Sequence, residues 1–433
     1  MNILFKTVYL KNKIIQNIKS EKIFVFNTLS LGSIYGINFL ISLITLPHLL
    51  KVYGLSVWGN IVFIQLIFNY LIWLTDWSFN IYSSKFVSIN FQNQDTLKKI
   101  FRETWTAQLL LTIFSLFLSF LYNHFFYHSV QLSFYFALIL LGKFLQPYWF
   151  LNGIEKIYET ALFQLINKVI FAIFIIFFIN KGSNINTYFL YYGISFFIVG
   201  IACITRINFI SKGLIGFSKI KKSIIALKKS FKLFLSLILG NFINSSIQFL
   251  IGIFLDPVNL GIYNVADRIK GFSSQLNQPL TNSIFPKIVK EYNKDKKLGN
   301  KFLVFNLKIL VPLTLFLFLI INLNLTFIVN YFSKENIQEI IIILRIILFS
   351  FVFNVVEEII VNQYMVTNGI YSSINKLKIL KLILVFVFGI PLVFYYGIIG
   401  AAFTSLISEL FAFFFVIFKY NKTKKIIFKE EEF

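Results

Sequence analysis

The chain contains a single cysteine, Cys203, and it lies inside an apolar run. One cysteine excludes an internal disulfide and a cysteine-built metal site. Histidine is nearly as scarce: His48, His124 and His128 sit near the ends of apolar runs, without metal-ligand spacing, and read as interfacial side chains. There is no Walker A sequence, so the chain carries no ATPase of its own. No long polar segment is present either. The longest connection between apolar runs is 207–232, which leaves no room for an inserted soluble domain. Acidic residues number only 18 against 41 Lys and Arg. Alanine, glycine and proline are sparse while Phe, Ile, Lys, Asn and Tyr abound, the bias of AT-rich codons. The 56 Phe are therefore read as compositional drift rather than as a stacking surface.

What remains is apolar. Hydrophobic residues make up 57% of 433 positions, more than the interior of a soluble domain of this length can take up. They fall into blocks of roughly 20, the helical length that crosses a bilayer core. Twelve such stretches are expected, near 25–47, 58–83, 104–124, 130–150, 158–180, 186–206, 233–255, 260–285, 303–330, 337–364, 377–396 and 398–419. The fold class is an all-α polytopic membrane protein. The organisation expected is a basic lead-in at 1–24, a six-helix bundle at 25–206, a basic linker at 207–232, a second six-helix bundle at 233–420 and a tail at 421–433. The lead-in shows no signal-peptide pattern and reads as a surface-lying segment.

Lys and Arg cluster in alternate connections. Lys98, Lys99 and Arg102 lie in one, Lys219, Lys221 and Lys222 in the next, and then Lys294, Lys296 and Lys297. The connection near 376–381 and the tail are basic as well. The intervening connections hold only Lys51, Lys181 and Lys334. By the positive-inside rule both termini are cytoplasmic. Topology thus explains most of the +23 charge, and a nucleic-acid partner is not required.

Two short patterns recur. Asn-Gly-Ile closes an apolar run at 152–154 and again at 368–370, each in a cytoplasmic corner. Gly59 and Gly261 occupy matching external corners with an offset of 202, and the same offset pairs Asn80 with Asn282. An even, six-span unit repeated in parallel predicts two bundles around a central cavity, related by an axis along the membrane normal.

Polar side chains in hydrocarbon are costly and should face a cavity or another helix. Asn264, Arg268, Gly271, Gln275, Gln278 and Asn282 make one stripe at helical spacing; Gln65, Asn69, Asp76 and Asn80 make its counterpart. Asn241, Asn244, Ser245 and Gln248 mark a third helix. Arg268 and Lys270 lie near the midplane, Asp267 adjoins them, and Lys143, Lys168 and Arg345 are also well inside apolar runs. Asp76, Glu409 and the Glu357–Glu358 pair are the acids available, the last two read as interfacial. Cations outnumber acids, which suits an anionic passenger. The competing reading is a set of internal ion pairs that only hold helices together.

These residues carry a family resemblance. The segment 49–80, ending in Asp76-Trp77-Ser78-Phe79, resembles the start of Wzx-type O-antigen flippases, where the patch is more usually Asp-Phe-Gly-Phe. Pro147, Trp149, Phe150, Gly153 and Glu155 resemble the family's Pro-x-Trp-Phe-x-x-Gly-x-Glu corner, and 260–288 resembles its Gly-x-Tyr-x-x-Ala…Pro pattern. The resemblance implies the multidrug/oligosaccharidyl-lipid/polysaccharide exporter fold with alternating access. It implies a flippase, with no cofactor, that moves an undecaprenyl-diphosphate-linked glycan across a bacterial plasma membrane. Its partners would be that glycan, membrane lipids and other envelope-assembly proteins. From the stripes and charges, Arg268 and Lys270 are expected at the anionic head, with Lys143, Lys168 and Arg345 supporting. Asn69, Asn241, Asn244, Gln275 and Gln278 are expected at sugar hydroxyls. Asp76, Asp267 and Glu409 are expected in coupling or gating.

Three other functions compete. A cation-coupled drug exporter of the same fold would need an embedded acid in the first span, and that span has none. A glycan polymerase or transferase would need a sizeable external loop. A scaffold would leave the matched stripes without purpose.

Overall fold

The computed structural model describes the backbone of residues 2–429 and, within it, the side chains of 36, 37, 40–274, 288–292 and 294–424. The described residues form helices and turns only. In order they are α1 (Asn2–Asp76), α2 (Phe79–Ile89), α3 (Gln94–Phe126), α4 (Val130–Phe144), α5 (Tyr148–Gly153), α6 (Ile157–Phe178) and α7 (Ile185–Ile210). The second half follows with α8 (Ile220–Phe254), α9 (Pro257–Lys294), α10 (Lys296–Leu323), α11 (Leu325–Phe332), α12 (Ile337–Ile359, continued by a π turn over Ile360–Met365) and α13 (Tyr371–Lys429).

Nine helices among the described residues are long and apolar enough to cross a membrane. Two of these break at a left-handed glycine, α1 at Gly54 (φ 68°) and α13 at Gly397 (φ 59°). Each break turns one long helix into two arms, as glycine allows without a Cβ clash. The polar α9 is not among the nine. Its stripe of Asn, Arg and Gln lowers its hydropathy below that of a lipid-facing helix. Within the segment 207–232, residues 211–219 are non-helical and the rest after them opens α8, which runs unbroken to Phe254.

Helix starts carry the caps their sequences offer. The side chains of Asn93, Ser129, Asn184, Asp256 and Asp295 accept from backbone N–H groups of the following turn. The two Asn-Gly-Ile corners turn out to differ. Gly369 takes the left-handed conformation (φ 70°) in the second, whereas Glu155 takes it (φ 63°) in the first. There Gly153 is helical and closely packed: a Cβ on it would lie 2.6 Å from the Val87 Cβ.

Apolar packing is unevenly shared between the halves. One buried cluster joins them, with Leu55, Trp58 and Phe189 from the first and Leu260, Phe332 and Ile340 from the second. It lies toward the end that carries the lysine-poor corners. A second cluster draws on residues 74–227 and a third on residues 288–420. Among the described residues the halves therefore share a core at one end and have separate cores at the basic end.

The seal is a helix crossing made of glycines. The 55–76 arm of α1 packs on α9, and a Cβ on Gly59 would lie 1.7 Å from the Pro257 carbonyl oxygen. A Cβ on Gly261 would lie 2.4 Å from the Leu55 carbonyl oxygen. Gly59 and Gly261, paired in the sequence by their offset, thus meet each other across the crossing. Small residues permit this backbone approach between membrane helices. The Glu335 carboxylate then accepts from Leu55 N at 3.1 Å, capping the arm of the first half from a corner of the second.

Gly59→Ala is expected to lower the melting temperature by several degrees, because backbone must move to admit the methyl group. Gly271→Ala, with open space around its Cβ, should leave the melting temperature unchanged or slightly raised by helix propensity of about 1 kcal/mol. Thermal unfolding of the two variants in one detergent checks the contrast.

Candidate functional site

The sealed end roofs a cavity of about 440 Å³. Its walls come from the first half (α1, α4, α5, α6 and α7) with one exception, Arg268 on α9. Lys143, Lys168 and Arg268 all line it, and among the described residues no acidic residue does. Gln65, Gln146, Gln164 and Asn167 add amide groups, and Trp58, Tyr148, Tyr188 and Tyr192 add aromatic faces. A few convergent polar groups among aromatic walls is the usual composition of a small-ligand site.

Arg268 is held by both halves. Its Nε donates to Asn264 Oδ1 at 3.0 Å, and its guanidinium lies 5.0 Å from the Trp58 ring. Trp58 Nε1 donates to the same Asn264 oxygen at 3.2 Å. A guanidinium stacked on an indole keeps its remaining donors available to a ligand. Among the described residues neither Arg268 nor Lys168 has a carboxylate partner. Lys143 does: Asp76 Oδ2 lies 3.1 Å from its ammonium. Gln65 Nε2 donates to the Tyr188 hydroxyl at 2.7 Å, and Gln146 Nε2 to the Phe196 carbonyl at 2.9 Å, so two wall amides are fixed in place.

Other residues singled out in the sequence lie elsewhere. Lys270 pairs with Asp267 at 2.7 Å, and Asp267 accepts from Gln248 on α8 at 3.1 Å, so these two point toward α8 instead of the cavity. Gln248 in turn accepts from Asn264 at 3.4 Å, linking the two polar faces of α9. Asn69 and Asn241 are half-buried and Asn244 exposed, none of them on the cavity wall. Arg345 is exposed on α12, on the stripe that also exposes Ile342 and Phe349. The side chains of Gln275, Gln278 and Asn282 lie outside the described residues.

A second polar centre was not legible. Lys381, grouped in the sequence with the basic corner lysines, is buried in the second half. Its ammonium lies 2.9 Å from both Glu357 and Glu409. Asn354 Nδ2 donates to Glu409 at 3.3 Å. The expectation that Glu357 is merely interfacial fails for the same reason: its carboxylate is a partner of Lys381. The available signal was a lysine flanked by Ile379, Leu380 and Leu382, with two glutamates in facing apolar runs. Among the described residues no group of His, Cys, Asp and Glu has the arrangement of a metal site.

Lys381→Met would leave two buried carboxylates facing each other. Breaking a buried ion pair costs about 3–5 kcal/mol, so the variant should unfold at clearly lower temperature. Adding Glu357→Gln and Glu409→Gln to Lys381→Met should recover most of the loss, as measured by thermal melts in detergent.

Residues 24–292 match the family model for polysaccharide biosynthesis proteins. The chain is 23% identical over 395 residues to the "Putative O-antigen transporter" of Escherichia coli (strain K12), covering 88% of this chain and 93% of that one. Among solved structures it superposes on a multidrug resistance MATE family transporter of the MOP superfamily in an inward-facing conformation. That match has TM-score 0.72 and 14% identity, over 89% of this chain and 96% of that one. It also superposes on the lipid II flippase MurJ in an inward closed conformation, with TM-score 0.69 and 16% identity over 90% and 87% of the two chains. A family model covering more than half of the chain places the protein in the polysaccharide biosynthesis protein family, as a multi-pass membrane protein that shares the fold of those two transporters.

Proposed function

We propose that the protein is a flippase for lipid-linked polysaccharide precursors. Its substrate would be an undecaprenyl-diphosphate-linked oligosaccharide, carried from the inner to the outer leaflet of a bacterial inner membrane. The observation that carries this reading is the cavity lined by Lys143, Lys168 and Arg268, with no acid on its wall among the described residues. Lys143 is paired with Asp76, but Lys168 and Arg268 have no carboxylate partner among the described residues; cations left so would be costly in hydrocarbon, and an anionic head group would compensate them. The amides and aromatic rings suit sugar hydroxyls and pyranose faces. The lipid tail would stay in the bilayer.

The packing supports alternating access. With the basic end cytoplasmic, a shared cluster at the outer end and separate clusters at the inner end correspond to an inward-open state. Two six-helix bundles, at 25–206 and 233–420, would rock about the Gly59–Gly261 crossing. The buried Lys381–Glu357–Glu409 centre and the Asp267–Lys270 pair are the candidates for coupling to an ion gradient. A drug exporter of the same fold would bind cations and fits this wall poorly. The named relatives are transporters or flippases, which favours transport over catalysis.

Arg268→Ala and Lys168→Ala should each reduce transport about 10–100-fold, the loss of one charged hydrogen bond of about 1.5–3 kcal/mol, with membrane insertion unchanged. Arg345→Ala should change transport by about twofold or less, since Arg345 lies off the cavity wall. Glycan transfer in proteoliposomes, normalised to inserted protein, reads both. Wild-type rates in the cavity variants would remove those cations from the mechanism.

A further inference from the structure

The Asp76-Trp77-Ser78-Phe79 patch is left without a role by the cavity alone, and its geometry supplies one. Asp76 ends α1 and pairs with Lys143, a cation of the cavity wall, at 3.1 Å. The next residue, Trp77, breaks the helix in the left-handed region (φ 48°), where a bulky side chain is strained and persists only if its surroundings hold it. What holds it is α8. The Trp77 ring stacks on Phe234 with centroids 3.7 Å apart and planes 6° from parallel. Trp77 Nε1 donates to Ser230 Oγ at 3.0 Å, and Ser78 Oγ donates to the Ser230 carbonyl at 3.2 Å. Ser230, Phe234 and Ser78 are buried. Phe79 anchors the far side in the apolar cluster of the first half.

Beyond this contact α8 packs on both halves: Tyr70 of the 55–76 arm shares a hydrogen bond with Ser245 at 2.8 Å and its ring lies 5.3 Å from that of Phe242. Ser236 Oγ donates to Asn375 on α13 at 3.4 Å, and Phe242 stacks on Phe386 of α13. Leu250 lies beside Gly389. The helix therefore starts docked on the first half alone and continues between the 55–76 arm and α13. Its first joint with that arm is one residue away from the carboxylate that pairs with a cavity cation.

We propose that Asp76, Trp77 and Phe234 form a joint that transmits occupancy of the cationic cavity to α8 and so to the second half. An anion bound at Lys143 competes with Asp76 for the ammonium. Release of Asp76 frees the end of the 55–76 arm and lets the strained Trp77 relax. The Trp77–Phe234 stack then shifts, and α8 carries the second half toward the first at the basic end. Trp77 and Phe234 act as positioning residues: they do not line the cavity. The substrate half of this inference rests on the flippase reading; the mechanical half does not.

The two parts separate in one experiment. Spin labels at Lys99→Cys and Lys376→Cys, both exposed and on opposite halves, report the opening of the basic end in a Cys203→Ala background. Without any ligand, Asp76→Asn breaks the ion pair and should shift the distance distribution toward shorter values. Trp77→Ala or Phe234→Ala should abolish that shift, and Trp77→Phe, which keeps a ring on Phe234, should retain it. If Trp77→Ala does not fold, Phe234→Ala gives the same reading. A purely structural joint would lower the melting temperature of the alanine variants yet leave the Asp76→Asn shift in place, and that result overturns the proposal. So does an Asp76→Asn distribution identical to wild type. In the second arm undecaprenyl diphosphate is added to wild type in nanodiscs, where the same shift is expected. A shift with Asp76→Asn but none with undecaprenyl diphosphate would uphold the joint and count against the flippase reading.

Discussion

Hydrocarbon offers no hydrogen bonds and little stabilisation to charge, and the rest of the structure follows from how this chain meets that constraint. Its embedded charges fall into two classes. Lys381 is enclosed by two glutamates, and Lys270 lies on Asp267, so these balance internally. Lys168 and Arg268 face open space and have no carboxylate among the described residues. Lys143 stands between the classes, on the cavity wall but paired to Asp76. A buried ion pair does little for net stability, because desolvation offsets the attraction. Cations left unbalanced in a cavity do less still, a cost that the proposed anionic substrate would offset.

The two halves divide this labour unequally, although their sequences suggest matching units. The cavity is built almost wholly from the first half, with Arg268 contributed by the second. The internal triad lies wholly in the second. Where the halves meet, the contacts are of two kinds. Backbone against backbone at Gly59 and Gly261 provides a close crossing that side chains cannot loosen gradually. Polar ties at Trp58–Asn264 and Leu55–Glu335 can be made or lost as the crossing opens. A crossing of that sort favours discrete states over continuous deformation, as alternating access needs.

Much of this was legible in the sequence because composition and period carry it. Blocks of apolar residues gave the helices, and the 202-residue offset brought forward Gly59 and Gly261, which the structure places in contact. Arg268, named in the sequence together with Lys270 as a midplane cation, lies on the cavity wall. Other features stayed hidden because spacing does not fix azimuth. Lys270 is two residues from Arg268, about 200° around a helix, and it faces α8. Lys381 reads as a corner lysine because the start of α13 cannot be located in an apolar run. The equal Asn-Gly-Ile corners concealed unequal backbones, with Glu155 turning in one and Gly369 in the other. The path from Asp76 to Phe234 needed coordinates, as the two residues are far apart in sequence.

The most direct test of the central claim is translocation itself. The protein would be reconstituted in liposomes with a labelled undecaprenyl-diphosphate-linked glycan, and movement of the label between leaflets followed over time. Protein-dependent movement with the glycan covalently unchanged is the expected result. No movement of a verified native substrate, by protein shown to be folded and inserted, would contradict the account.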